Sequence, residues 1–90
     1  MDLSIIIPIY NEEHNLLPLL EEITSVLKAT GRSYEIICVD DGSRDQSYEI
    51  LRELSRKFAS LIVVQLRRNF GQTAAMQAGF DAAQGRVIIP

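Results

Sequence analysis

The chain has no tryptophan, one cysteine and one histidine, and these shortages exclude whole classes of chemistry. A lone Cys38 can form neither an internal disulfide nor a cysteine-rich metal site. It lies inside Ile36-Ile37-Cys38-Val39 and reads as a buried free thiol. His14 has no carboxylate or metal set around it and reads, with Glu13, as an exposed helix-entry residue. Glycine is also sparse, with 5 in 90 residues. No Gly-rich dinucleotide fingerprint follows the first apolar run, and no phosphate loop ending in Lys-Ser or Lys-Thr occurs. That argues against a nicotinamide oxidoreductase and an ATPase. A receiver-type phosphoacceptor fits poorly too, since its acidic pair is expected after the first strand. No apolar run approaches the roughly 18 residues that span a bilayer. Residues 3–9 are apolar, but Asp2 stands where a secretory signal needs a basic leader, and Asn11-Glu12-Glu13 follow too soon. Basic residues are outnumbered, 9 against 12 acidic for a net charge of -3, so bulk attraction to nucleic acid is not expected.

What is present is strong periodicity, with 47% apolar residues. Ninety residues make one small domain, burying about 60 to 65% of its unfolded surface. Residues 3–9 form a continuous apolar run, as do 34–39 and 61–66. Such runs suit strands covered on both faces. Pro8 is expected near its strand's end, where a missing N–H disturbs little pairing. A helix is predicted from about Asn15, a good capping residue, with Leu16, Leu20, Ile23 and Leu27 on one face and Gly31 closing it. Ser43 and Gln46 have capping-box spacing and open a second helix to about Lys57. Residues 72–84 predict a third helix closed by Gly85, with an unusually small face at Met76, Gly79, Phe80 and Ala83. Gly79 costs helix propensity, which makes sense if another element packs closely there. Arg86 to Ile89 begin a fourth strand. Strand and helix alternate throughout, which defines an α/β, Rossmann-like parallel sheet with helices on both faces. Because the chain ends at Val87-Ile88-Ile89-Pro90, immediately after what reads as a strand, residues 1–90 are expected to be the front portion of a larger domain, truncated at its C-terminal end.

Two apolar runs stop abruptly at polar residues, Tyr10-Asn11-Glu12 and Asp40-Asp41-Gly42-Ser43. In an open parallel sheet such residues meet in a crevice at the carboxyl ends of the strands. For Asp40 and Asp41 two readings stay open. One carboxylate caps the next helix while the other is solvated, or Asp41 reaches over the strand end to accept from a base N–H or ribose hydroxyl. Tyr10 offers an aromatic face for a heterocycle, with Asn11 and Glu12 as polar contacts on the rim. Ser43 and Asp45 read first as structural residues holding the turn. Arg67 and Arg68 are either solvated or approach a diphosphate from the rim. Asn69 and Gln72 are polar groups near the same opening, and Phe70 is expected to anchor its loop in the core. Asp40 and Asp41 alone do not complete a cation site. The pattern points to recognition of a nucleotide.

At these residues the chain resembles the inverting family-2 glycosyltransferases, whose catalytic domain has the GT-A fold. Ile5 to Glu13, Val39-Asp40-Asp41-Gly42-Ser43-Arg44-Asp45 and Arg68-Asn69-Phe70-Gly71-Gln72 carry the resemblance. The last stretch, continued by Thr73 to Phe80, is most similar to the branch acting on polyprenyl phosphates, which includes dolichyl-phosphate mannose synthases and undecaprenyl-phosphate glucosyltransferases. The resemblance implies that residues 1–90 are the nucleotide-sugar donor-binding portion. Pro8, Tyr10 and Glu12 would line the base and ribose pocket, Asp41 would contact the base with Asp40 alongside, and Arg67, Asn69 and Gln72 would lie near the pyrophosphate or sugar. It further implies transfer from a UDP- or GDP-sugar to a lipid phosphate with inversion, on the cytoplasmic side of a membrane. Mg²⁺ or Mn²⁺ would be bound by residues after 90, so neither catalytic nor metal residues are assigned within 1–90. The 90 residues alone are not expected to be a complete enzyme, and their unfinished sheet exposes apolar surface through which oligomers could form. Two alternatives stay open, a family-2 transferase with a soluble sugar or glycan acceptor and a non-catalytic Rossmann-like binding module.

Overall fold

A computed structural model describes every residue from Met1 to Pro90. Four parallel strands, β1 (Leu3–Ile9), β2 (Tyr34–Asp40), β3 (Leu61–Gln65) and β4 (Val87–Ile89), lie in the order β3-β2-β1-β4. Three helices connect them, α1 (Leu16–Ala29), α2 (Ser47–Lys57) and α3 (Gln72–Ala82). The chain moves from β1 outward to β3, then crosses back to place β4 on the other side of β1. Ligand crevices of open α/β sheets form at such a reversal, outside the carboxyl ends of the strands.

Alternation along each strand sorts the core into two halves. Ile9, Ile36, Cys38 and Leu61 pack under Leu16, Leu20 and Leu27 of α1 and Leu51 and Leu54 of α2. Ile6, Ile37 and Val39 point the other way, onto Ala75 of α3. Ile36, Ile37, Leu16, Leu20 and Leu51 are fully buried, and each such aliphatic side chain stabilises by roughly 1.5–3 kcal/mol. The α3 face works by closeness instead of bulk. A Cβ added at Gly79 would collide with the Ile6 side chain, so the glycine lets the helix lie directly on β1. Phe80, expected on the packed face, is instead substantially exposed, and Ala75 takes the buried position.

Helix entries differ from the sequence expectation. Asn15 precedes α1 without a side-chain cap, and its Nδ2 donates to Glu12 Oε2 at 2.8 Å. The Ser43–Gln46 capping box does not form, because α2 starts at Ser47 and Ser43 Oγ accepts from Asn11 N. The third helix ends at Ala82, and Gly85 serves a close approach: an added Cβ would meet Ser4 Oγ and the Leu3 backbone. Pro8 pairs with β2 beyond Ile5, the last β1 residue paired with β4. Ile9 O accepts from Asp41 N, so backbone alternation turns the Pro8 nitrogen away from β2, to a side where β4 has ended.

The amino end of the sheet is tied by a buried carboxylate. Glu35 Oε2 accepts from Ser4 Oγ at 2.6 Å and Gln84 N at 2.7 Å, while Ser4 Oγ accepts from Gly85 N at 2.8 Å. These bonds fasten the α3–β4 connection beneath β1 and β2. Toward β4 the surface stays apolar, with Val87, Ile88 and Ile89 exposed. A groove of about 300 Å³ lined mainly by Ile5, Leu19, Ile23, Val26 and Leu27 lies on the α1 face. No helix is long and apolar enough to cross a membrane.

Candidate functional site

The carboxyl end of the sheet carries a cavity of about 290 Å³ lined by Pro8, Ile9, Tyr10, Glu12, Asp41 and Gln72. Each wall follows from local chemistry. Pro8 and Ile9 end β1, Asp41 follows β2 directly, and Gln72 is the first residue of α3. Tyr10 is 42% exposed, so its ring is free to stack on a planar ligand. The lining therefore combines an aromatic face, an apolar floor, two carboxylates and an amide. That is a set suited to a heterocycle with hydroxyl and N–H donors.

Asp41 is deeply placed, and its carboxylate organises the neighbouring loop. Its Oδ1 accepts from Phe70 N at 2.9 Å, and its Oδ2 from Gly71 N at 3.1 Å and Asn69 Nδ2 at 3.0 Å. Asn69 Nδ2 also donates to Asp41 O at 3.1 Å. Gly42 brings the two loops together. Its φ is +67°, and an added Cβ would strike the Arg68 and Asn69 backbone. The α3 entry is thus set by a carboxylate just past β2, while that same carboxylate forms part of the cavity wall.

The first two loops are interlaced as well. Asn11 has φ 52°, the single positive φ outside glycine. Asn11 N donates to Ser43 Oγ at 2.9 Å, and Asn11 Oδ1 accepts from Arg44 N at 2.8 Å. Glu12 N donates to Ser47 Oγ at 2.8 Å, and Gln46 N to Glu13 Oε2 at 3.0 Å. Asp45 accepts from Ser47 N at 2.9 Å and Glu13 N at 3.3 Å. Partial loss of water works against the charged form of Asp45, but the bonds from Ser47 and Glu13 prevail and hold its carboxyl below the ordinary range.

Of the residues singled out from sequence, Pro8, Tyr10, Glu12, Asp41 and Gln72 meet in this one cavity. Asp40, Arg67 and Asn69 do not line it. Asp40 ends β2 only 1% exposed, with Oδ1 lacking any hydrogen-bond partner. Asn69 is engaged by Asp41, and Arg67 is exposed. Phe70, expected in the core, is 44% exposed, with the Arg68 guanidinium 4.7 Å from its ring centroid. Sequence reasoning missed Ile9 as a lining residue, because its strand position reads as pure core. It also missed the Glu35 tie, whose partners lie up to 49 positions away along the chain.

Nowhere do three or more His, Cys, Asp or Glu side chains converge as a metal-binding group. Asp41 is already committed to three donors, so residues 1–90 do not fit a divalent cation. A second cavity of about 250 Å³ lies between the C-terminal ends of α1 and α2, with Lys28 and Lys57 at its edge. Both lysines stand in last helical turns, where they complement the helix dipoles, and this gives them a structural reason to be there.

The cavity opens at the carboxyl ends of a Rossmann-like parallel sheet. The model of glycosyl transferase family 2 matches residues 4–90, and the chain belongs to that family. It is 45% identical over 89 residues to a dodecaprenyl-phosphate galacturonate synthase of Rhizobium johnstonii, covering 98% of this chain and 26% of the relative. An undecaprenyl-phosphate 4-deoxy-4-formamido-L-arabinose transferase of Edwardsiella ictaluri is 45% identical over 87 residues, covering 96% of this chain and 27% of the relative. Among solved structures, S. aureus TarS 1-349 superimposes with a TM-score of 0.78 at 29% identity, covering 99% of this chain and 27% of that one. A mannosyltransferase from Pyrobaculum calidifontis, in complex with GDP-Man and Mn²⁺, shares the fold with a TM-score of 0.74 at 23% identity, covering 96% of this chain and 25% of its own. The chain spans about a quarter of the length of these relatives. The α/β reading and the GT-A-type parallel sheet expected from the sequence are both present.

Proposed function

We propose that the full-length protein transfers a sugar from a UDP- or GDP-sugar to a polyprenyl phosphate with inversion, and that residues 1–90 supply the nucleotide-binding part. The carrying observation is the meeting of Tyr10, Glu12 and Asp41 in one cavity over Pro8 and Ile9. In this proposal the Tyr10 ring stacks on the base, Glu12 accepts from ribose hydroxyls, and Asp41 accepts from a base N–H beside its loop contacts. Gln72, at the first turn of α3, faces the diphosphate. Asp40, Arg67 and Asn69 act from outside the cavity wall. Asn69 steadies Asp41, and Arg67 offers positive charge at the rim. An acceptor phosphate oxygen attacks the anomeric carbon from the side opposite the diphosphate. The new C–O bond forms as the bond to the diphosphate breaks, and the diphosphate leaves with the electron pair.

The acceptor assignment is supported by the relatives that act on dodecaprenyl and undecaprenyl phosphates. In this proposal the working enzyme acts at the cytoplasmic face of a membrane. Mg²⁺ or Mn²⁺, where used, belongs to residues outside 1–90, and the contacts of Tyr10, Glu12 and Asp41 with the nucleoside do not depend on it. The test is calorimetric titration of the full-length protein with UDP and with GDP, followed by transfer of labelled sugar to a polyprenyl phosphate. Saturable binding of one nucleotide and a labelled lipid product are expected. No heat from either nucleotide with folded protein overturns the proposal, and a labelled product only with soluble glycans overturns its acceptor.

A further inference from the structure

We infer that Asn11 and Ser43 form a latch that sets the nucleotide cavity without touching its ligand. This rests on the nucleotide reading above and adds to it two positioning residues from outside the cavity lining. The geometry is local and specific. Tyr10 and Glu12 both line the cavity, and Asn11 between them does not. At φ 52° Asn11 sits in the left-handed region, so the chain leaves extended geometry there and turns just beyond β1. Alternate residues share a face in an extended chain, but β1 ends at Ile9, so the placement of Tyr10 and Glu12 depends on the turn at Asn11. Asn tolerates the left-handed region better than other side chains that carry a Cβ.

The turn is then held from the neighbouring loop. Asn11 N donates to Ser43 Oγ at 2.9 Å, and Asn11 Oδ1 accepts from Arg44 N at 2.8 Å and, more weakly, Asp45 N at 3.4 Å. Ser43 is itself placed by Gly42, whose positive φ and close approach to Arg68 and Asn69 join the same loop to the entry of α3. Asp41, immediately before Gly42, accepts from Phe70 N and Gly71 N. The loop after β2 is therefore a hub. One side grips the turn that carries Tyr10 and Glu12, and the other grips the turn that leads to Gln72. Cavity walls from three separate loops keep one spacing because this hub ties them together.

The latch is tested in the full-length protein by titrating UDP and GDP into wild type and into Asn11→Ala, Asn11→Asp and Ser43→Ala. For whichever nucleotide wild type binds, Asn11→Ala is expected to raise Kd about tenfold, the equivalent of one lost hydrogen-bond set. Its thermal midpoint should fall only modestly, because alanine is less at ease than asparagine at φ 52° while the site itself is exposed. Asn11→Asp keeps an acceptor at the same atom and tolerates positive φ, so it should recover most of the affinity. Ser43→Ala removes one acceptor and should show a smaller rise, with faster hydrogen exchange at the Asn11 amide. Unchanged affinity in both Asn11→Ala and Ser43→Ala, with wild type binding, overturns the latch and leaves the nucleotide reading standing. An Asn11→Asp protein as weak as Asn11→Ala overturns the acceptor role. If Asn11→Ala does not fold, the Ser43→Ala and Asn11→Asp results decide alone. Wild type that binds neither nucleotide removes the underlying reading and the latch with it.

Discussion

Both ends of this sheet bury a carboxylate that accepts from the backbone, yet only at the carboxyl end does that carboxylate line a cavity. At the amino end, Glu35 closes on Ser4 and Gln84 and ties a loop flat beneath the strands. At the carboxyl end, Asp41 accepts from Phe70, Gly71 and Asn69 and the loops stand apart around a cavity of about 290 Å³. The difference lies in what surrounds the carboxylate. Glu35 sits within β2 between apolar neighbours, where any gap would be costly. Asp41 sits just past β2, where loops diverge into helices and an exposed tyrosine completes the wall. A buried, hydrogen-bonded carboxylate is therefore no sign of a site by itself. Its place relative to the strand ends decides.

The largest way to break this comparison is Gly42→Ala. A positive φ and a collision with the Arg68 and Asn69 backbone should together cost about 2–4 kcal/mol. The damage should fall on the carboxyl end, as lost nucleotide binding and rapid amide exchange at Phe70 and Gly71. Glu35→Ala should cost about 1–3 kcal/mol by leaving the Gln84 amide and Ser4 hydroxyl without their acceptor. Its expected signature is faster exchange at Gln84 and Gly85, with nucleotide affinity near that of wild type. Equal weakening of binding by Glu35→Ala would show that the two ends do not act separately. Tyr10→Ala should weaken nucleotide binding by about 1–3 kcal/mol through lost stacking, with little change in unfolding temperature.

A smaller effect is expected from pH. Because the folded state holds the Asp45 carboxyl below its ordinary range, its contribution is present above that range and is lost as pH falls on through the lowered folded value. Acid should therefore lower the protection factors of the Ser47 and Glu13 amides, relative to their intrinsic exchange rates, before it affects the strands. The smallest expected effect is none at all. Burial pushes the Cys38 thiol up to about 12, so a thiol reagent at neutral pH should leave it unmodified until the sheet opens.

Much of the fold was legible because its signals are local. Unbroken apolar runs marked β1, β2 and β3, and helical spacing marked α1 and α2 within a few residues. Gly79 announced a close contact through its cost to the helix, and Ile6 is the group it meets. The start of α2 was misplaced because Ser43 and Gln46 have capping-box spacing, while Ser43 instead bonds a residue 32 positions away. Phe70 misled in the same way. An aromatic beside a core strand reads as buried, but here Arg68 covers its ring at the surface.

Chain order by itself determined the α/β architecture and brought polar residues to two strand ends, because period and punctuation act between near neighbours. Only the tertiary structure decided which polar residues share a space. Strand order put β1 beside β2 and led α3 back across the sheet, so Tyr10, Asp41 and Gln72 meet although far apart in sequence. It also turned Asp40 away from the cavity and closed the Glu35 tie. Hydrogen bonds between distant loops depend on distance and direction in the folded chain, and neither is carried by residue type alone.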